Sequence, residues 1–351
     1  MKAAFVCVII ILLIVILLPE SKFSMAVRQG IDPFLPEKLR TIQTERGNSI
    51  AIYFTPSNKE DPNGIDDKLI DLINSANTEI KAAIYSLNLD NITDAFINAK
   101  LRGVKVGIVY DESNMSDNIA KISNAGINVV YRRKGGGYMH NKFLVIDGRT
   151  TWTGSMNMTP HGIYNDNNNV VLISSEKVAA NYSTEFDEMF DGLFGGNSPK
   201  NTPFPRIFAD GTELEIYFAP EDNVEKQVIN ELDKAREQIV FMAFSFTSDA
   251  IGKIMAEKIK AGVKVKGIFE KTQRSEYTEY EFLKNAGADV QWDTNSYNMH
   301  HKVIVIDGAV VITGSYNFSK NANTVNDENC IIIHDRGVAG EFLKEYERLL
   351  N

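Results

Sequence analysis

Histidine, lysine, serine and asparagine recur at matching spacing in two places along this chain of 351 residues. The first place reads His140-Asn141-Lys142-Phe143-Leu144-Val145-Ile146-Asp147, then Gly154-Ser155-Met156-Asn157. The second reads His300-His301-Lys302-Val303-Ile304-Val305-Ile306-Asp307, then Gly314-Ser315-Tyr316-Asn317, each residue lying 160 positions after its counterpart. Two lysines and two amides aimed at one centre would stabilise the charge that gathers on the non-bridging oxygens during displacement at phosphorus. Two histidines can then divide the work, one attacking and the other giving a proton to the leaving alcohol and later activating water. Lys142 and Lys302 would bring the positive charge that a metal otherwise supplies. With five His and two distant Cys in the chain, no metal ligand set stands out. No cofactor and no metal is expected. One such motif alone can be a hairpin with an incidental surface His and Lys, but two in register argue for a duplicated half-site.

The elements that must position these residues repeat as well. Short strands open at Ile52-Tyr53-Phe54-Thr55-Pro56 and at Ile216-Tyr217-Phe218-Ala219-Pro220. Amphipathic helices are expected over Asp67–Ala76 and Val224–Ala235, apolar strands over Ile80–Ser86 and Gln238–Ser245, and second helices over Ile92–Arg102 and Ile251–Ala261. Gly103 and Gly262 then act as helix stops before another strand. Lys142–Ile146 and Lys302–Ile306 read as strands that return through Asp-Gly turns, with each His and Lys two apart on one strand face. The stretch from Gly195 to Gly211 reads as loop. The pattern predicts an α/β fold with two tandem repeats, each a mixed β-sheet flanked by helices.

The two motifs identify the chain as resembling the phospholipase D superfamily, whose hallmark is His-x-Lys-(x)4-Asp followed by Gly-Ser-x-Asn. The resemblance covers roughly residues 48 to 351 and is nearest to the compact endonucleases and cardiolipin hydrolases of that group. It implies two lobes related by a pseudo-twofold axis, one active site at their interface, and a phosphohistidine intermediate. It implies catalytic roles for His140, Lys142, His300, Lys302, Asn157, Asn317 and Glu328, and substrate contacts for Gly154, Ser155, Gly314 and Ser315. Asp147 and Asp307 sit at the turns, five residues beyond each Lys, and read as structural, fixing turn geometry rather than transferring protons. A Glu 28 residues after the His, as Glu328 stands after His300, bonds an active-site His in the relatives. The first repeat has Asn168 there, unless a small shift lets Asp166 substitute. If each partner serves its own half, Glu328 makes His300 the proton donor; if partners cross, Glu328 orients His140. The resemblance makes His140 the nucleophile under either arrangement.

The implied activity is hydrolysis of phospholipids to phosphatidic acid and a head-group alcohol. The alternative is a non-specific, metal-independent endonuclease acting on DNA or RNA, and a third reading is an inactive phosphate-binding protein. The net charge of −9 weighs against wrapping a nucleic acid. The segment Arg132-Arg133-Lys134-Gly135-Gly136-Gly137-Tyr138 reads equally as a basic lip for substrate or as a solvated strand end. Tyr138 and Tyr297 read either as contacts to a base or head group or as ordinary packing. His161 is a lesser pocket candidate; His301 and His334 read as structural.

Residues 1–24 form an anchoring or signal segment, because Lys2 precedes sixteen apolar residues. Glu20 and Lys22 before Ser24-Met25-Ala26 disfavour cleavage, so an uncleaved anchor is preferred to a cleaved signal. The remainder would then be membrane-anchored or secreted, outside the cytoplasm. Residues 25–47 and 198–212 are expected as linkers, 48–197 and 213–351 as the two repeats, and a monomer suffices because duplication completes the site. Cys7 and Cys330 are not expected to pair.

Overall fold

The computed structural model describes residues 42–43, 49–56, 64–209 and 211–350. The N-terminal apolar run and Cys7 lie outside the described residues. Among the described residues no helix is long and apolar enough to cross a membrane.

The first lobe runs β1 (Ile42–Gln43), β2 (Ser49–Phe54), α1 (Ile65–Ser75), β3 (Glu79–Ile84), α2 (Asp90–Leu101), β4 (Lys105–Asp111), α3 (Asp117–Asn124), β5 (Asn128–Arg132), β6 (Lys142–Ile146), β7 (Thr150–Gly154), α4 (Pro160–Tyr164), β8 (Asn169–Ser174) and α5 (Glu176–Phe190). The second runs β9 (Arg206–Ala209), β10 (Thr212–Ala219), α6 (Val224–Lys234), β11 (Gln238–Ala243), α7 (Asp249–Lys260), β12 (Lys264–Phe269), α8 (Tyr280–Ala286), β13 (Asp289–Trp292), β14 (Lys302–Ile306), β15 (Val310–Gly314), α9 (Lys320–Thr324), β16 (Glu328–His334) and α10 (Arg336–Leu350). The sheets are ordered β1-β2-β8-β7-β6-β3-β4-β5 and β13-β12-β11-β14-β15-β16-β10-β9, the same topology written from opposite edges. Each is mixed. β3, β4 and β5 pair in parallel through helical crossovers, while β3–β6, β6–β7, β7–β8 and β2–β8 pair antiparallel.

Apolar spacing explains which faces are covered. In α2, Ile92, Ala95, Phe96 and Ala99 are buried at helical spacing, against an outer core with Leu69 and Ile73 of α1. The second lobe has its own outer core around Phe241, Phe246 and Phe269. The fifteen-residue helices α5 and α10 differ, because they lie between the sheets. Tyr182 and Phe186 of α5, Phe342 and Tyr346 of α10, and strand residues of both sheets make one shared core. Ser175 caps α5 by accepting from the Val178 N–H.

One expected loop holds a strand. Within residues 195–211, β9 pairs antiparallel with β10. Ile207 is in the shared core while Phe208 is exposed, the alternation of a half-buried edge strand too short to stand out among the surrounding Gly, Asn and Pro.

Candidate active site

Each half-site is held by the opposite lobe. β6 begins at Lys142, so His140 stands just ahead of the strand rather than on it. The His140 N–H donates to the Asp327 carbonyl at 2.9 Å, and the His300 N–H donates to the Asn167 carbonyl at 2.8 Å. Behind them Thr153 Oγ1 donates to Asn329 Oδ1, and Asn169 Nδ2 donates to Thr313 Oγ1, both at 2.8 Å. Every one of these contacts is repeated with 160 added to one partner and taken from the other. This reciprocity is the signature of a twofold interface, here within one chain. The lysines are fixed in the same duplicated way. Lys142 Nζ donates to the His140 carbonyl at 2.5 Å and lies 4.6 Å from the centre of the Tyr85 ring. Lys302 Nζ donates to the His300 carbonyl at 2.8 Å and lies 4.7 Å from the Phe244 ring.

The partners of the histidines cross between lobes. His140 Nδ1 bonds Glu328 Oε2 at 2.7 Å, and His300 Nδ1 bonds Asn168 Oδ1 at 2.8 Å. Asn168 Nδ2 donates to the Gly162 carbonyl, which turns Oδ1 toward His300. Glu328 accepts from Ser315 Oγ and Asn326 Nδ2 as well as from the His140 ring. With Nδ1–H used in both rings, Nε2 of each is the free nitrogen. Asp166 does not substitute for the missing carboxylate; it accepts from the Asn298 N–H and amide.

Four buried basic groups set the electrostatics. Burial lowers the His140 pKa, against the pull of Glu328, and the charges of Lys142 and, across the junction, Lys302 lower it further. His300 falls well below its ordinary value through burial, then through Lys302, Lys142 and His140. Burial takes Lys142 down to about 7 and Lys302 well below its ordinary value. Burial works to raise Glu328, but His140, Lys142 and the Ser315 hydroxyl hold it below the usual carboxylate range. Each lysine thus acts on the other lobe's histidine, and the shared centre is short of negative charge. An anion entering it would reverse the depressed lysine values.

The family model for a cardiolipin synthase, PLD-like domain matches residues 69–190 and again residues 228–350. The chain belongs to the phospholipase D-like phosphodiesterase family. It is 32% identical over 136 residues to the Phospholipase D of Rickettsia prowazekii (strain Madrid E), a match covering 38% of this chain and 66% of that one. It is 31% identical over 127 residues to the Mitochondrial cardiolipin hydrolase of Chlamydomonas reinhardtii, covering 35% of this chain and 56% of that one. Each match thus spans about two thirds of the relative's length or less. In fold, it is similar to the phosphatidylserine synthase of Haemophilus influenzae Rd KW20, with a TM-score of 0.63 at 14% identity over 93% of this chain and 90% of that one.

Within this phospholipase D-like frame the expected site residues separate into layers. His140, Lys142, His300, Lys302 and Glu328 meet at the junction. The Oδ1 atoms of Asn157 and Asn317 are buried without a hydrogen-bond partner, so each amide keeps unused hydrogen-bonding capacity. The expected substrate contacts of Ser155 and Ser315 are corrected. Both are fully buried; Ser155 Oγ donates to Asn168 Oδ1 and Ser315 Oγ to Glu328 Oε2, and each accepts from a backbone N–H. They orient the partners of the histidines from behind. Gly154 and Gly314 are likewise not substrate contacts, since both are buried inside a sheet at φ of 149° and 139°. A Cβ on either would collide with the carbonyl oxygen of Asn169 or Asn329.

Asp147 and Asp307 stand far from the histidine partners, at the turns. Each sits at φ 51°, followed by a left-handed glycine, as a type I′ turn requires. Asp147 also accepts from the N–H groups of Asn77, Thr78 and Glu79, and Asp307 from those of Arg236, Glu237 and Gln238. The basic lip is mostly spent on structure. Arg132 is buried in an ion pair with Asp327 at 2.5 Å, and Arg133 pairs with Glu112. Tyr138 and Tyr297 are both substantially exposed, and Tyr297 lies against His161. His301 is fully buried between Asn169 and Glu345, and His334 bonds Glu215. Composition and spacing did not single out Tyr85, Phe244, Asn169 or Asn329. The available signal was the run Asn167-Asn168-Asn169, which aligns with Asp327-Glu328-Asn329.

Proposed function

We propose that this protein is a phospholipase D-type hydrolase that converts phospholipids to phosphatidic acid and a head-group alcohol. The observation that carries the reading is the pair of free Nε2 atoms, His140 backed by a carboxylate and His300 by an amide, between two buried lysines. His140 Nε2 attacks phosphorus and the bond to the head-group oxygen breaks. The Glu328 carboxylate balances the positive charge the His140 ring gains. The bound anionic phosphate opposes the burial and lysine charges that hold the His300 pKa down, so His300 takes up a proton at Nε2 and gives it to the leaving oxygen, releasing the alcohol. Neutral His300 then takes a proton from water, the resulting hydroxide attacks phosphorus, and the bond to His140 breaks. The Lys142 and Lys302 ammonium groups, with the Nδ2 groups of Asn157 and Asn317, donate to the non-bridging oxygens. The reacting centre uses no metal.

Lipid is favoured over nucleic acid by the rim. Beside the site lies a cleft of about 430 Å³ lined by Ser113, Lys134, Gly135, Gly137 and Tyr138 and, from the second lobe, Asn321, Val325 and Asn326. Lys134 is its one basic side chain, since Arg132 and Arg133 are engaged elsewhere. A polyanion would need a row of free cations there; one phosphate with an apolar tail does not. The names of the two curated relatives, a phospholipase D and a cardiolipin hydrolase, support a lipid substrate. The apolar run at residues 3–18 would anchor the protein to a membrane with the lobes outside the cytoplasm, and one chain would be sufficient for activity.

The test presents vesicles of phosphatidylcholine, phosphatidylethanolamine and cardiolipin together with single-stranded DNA to the full chain, with and without EDTA, using His300→Ala as control. Head-group release with intact DNA is expected, lost in the variant. DNA cleavage with intact lipid would replace this reading with a nuclease.

A further inference from the structure

Behind the reacting centre, the duplicated network differs in charge between its two copies. In the second lobe Glu345 is buried and neutralised. It bonds His301 Nε2 at 3.0 Å and Arg348 through Nε and Nη2 at 2.7 and 2.6 Å. The same Nη2 reaches the carbonyl of Thr55, at the end of the first strand of the opposite lobe. In the other copy, 160 positions earlier, His301 is replaced by Asn141, Glu345 by Glu185 and Arg348 by Glu188. The segment matching Thr55-Pro56 is Ala219-Pro220, and Glu221 follows it. An arginine and a histidine are thus exchanged for a carboxylate and an amide, and a third carboxylate is added.

These carboxylates are buried and under-satisfied. Glu185 accepts from Asn141 Nδ2 at 3.3 Å. Glu188 is 6% exposed and has only the neutral Ser198 and Asn201 beside it, neither in good hydrogen-bond geometry, and Oε2 of Glu221 has no hydrogen-bond partner. Among the described residues, the nearby Lys200 pairs with Asp222 instead. Burying carboxylates without a counter-charge is costly, so the cluster must either take up protons or gather a cation. One oxygen from each of Glu185, Glu188 and Glu221 lies within 4.8 Å of the others. That matches a single hard cation, whose oxygen ligands at about 2.0 to 2.6 Å stand up to about 5 Å apart across it. By contrast, the Glu213, Glu215 and His334 cluster is already compensated, because Glu215 is paired with Arg206 and His334.

We propose that Glu185, Glu188 and Glu221 bind one hard divalent cation, of the Ca²⁺, Mg²⁺ or Mn²⁺ class, in the place that the Arg348 guanidinium takes in the other half. The donor set is all oxygen, which suits these ions rather than thiolate- or imidazole-seeking metals. The cation joins α5 of the first lobe to the end of β10 in the second. It also stabilises the orientation of Glu185, which holds Asn141, which in turn accepts from Asn329 beside Glu328. The site is structural and separate from the phosphodiester chemistry, so it stands or falls independently of the lipid reading.

The test is calorimetric titration of the metal-stripped full chain with CaCl₂, MgCl₂ and MnCl₂, with melting temperature followed in parallel. One cation per chain and an upward melting shift are expected with at least one of the three. Glu188→Arg, which copies the other half, is expected to fold, to melt no lower than the stripped parent, and to lose both the binding and the shift. Glu221→Gln, at a less buried ligand, is expected to weaken binding while remaining folded. Absence of binding and of any melting shift with all three ions would overturn the proposal and leave protons as the occupants. Binding undiminished in both variants would overturn it equally.

Discussion

His140 and His300 share a residue type and a backbone setting, and one side-chain exchange separates them. Glu328 gives His140 a carboxylate, while Asn168 gives His300 only an amide oxygen. Burial lowers the His140 pKa and Glu328 opposes that fall. Glu328→Gln removes the opposition, so the His140 value drops further. If His140 must be neutral to attack, the acidic limb of kcat/KM moves to lower pH, and the plateau falls by roughly 10²-fold or more. A pH–rate profile of the variant checks this. Movement of the alkaline limb instead would make His140 the proton donor. Asn168→Asp is the complementary change; it raises the His300 value and moves the limb reporting proton donation to higher pH. Acid quenching of a reaction with labelled lipid is expected to trap the label on His140.

The elements place these residues through features with little tolerance for change. The β6–β7 turn closes on Asp147, whose carboxylate also fastens the entry to β3 through three backbone N–H groups. Burial opposes ionisation there, but those bonds bring Asp147 to about 2. Its folded value lies below the unfolded value near 3.9. The stabilisation is therefore present above about pH 4 and is lost as pH falls toward 2. Asp147→Ala is expected to cost about 1 to 3 kcal/mol at neutral pH, with the gap to the parent closing below pH 4 in denaturant titrations. At the ends of β7 and β15, Gly154→Ala or Gly314→Ala forces a Cβ into a backbone carbonyl. A loss of about 3 kcal/mol or more is expected, visible as a lowered melting temperature. In Gly314→Ala the shift would also displace Asn329 and its neighbour Glu328.

At the scale of the molecule the two lobes are one folding unit, because their shared core and the histidine network both span them. Arg132 and Asp327 form a buried ion pair between the lobes. Arg132 is 5% exposed and also donates to the carbonyls of Tyr138 and Val325. The positions matching this pair are Trp292 and Asn167, so the tie exists on one side of the twofold only. Arg132→Met leaves a buried carboxylate alone and is expected to cost about 3 to 5 kcal/mol. Adding Asp327→Asn should restore part of that loss, read as a coupling energy in a double-mutant cycle. A single unfolding transition is expected by every probe. Two separate transitions would show that the lobes do not depend on each other.

The amino-acid sequence by itself determined the duplication, the α/β class and the identity of the His, Lys and Asn set. These rest on local rules: strand period, turn chemistry at Asp147-Gly148 and Asp307-Gly308, and residue types at repeated spacing. The short edge strand β9 escaped because four residues among turn formers carry too little periodicity. Which carboxylate serves which histidine was decided only by the tertiary structure. Glu328 lies 28 residues from His300 along the chain, yet the twofold packing of the sheets carries it to His140. The same packing drew Ser155, Ser315 and both motif glycines behind the site and made Arg132, which the sequence left open between a substrate lip and a solvated strand end, a buried tie. Chain distance governs how a strand or turn forms, but the partner of a buried polar group is set by the surface that seals it. In this protein that surface belongs to the other lobe.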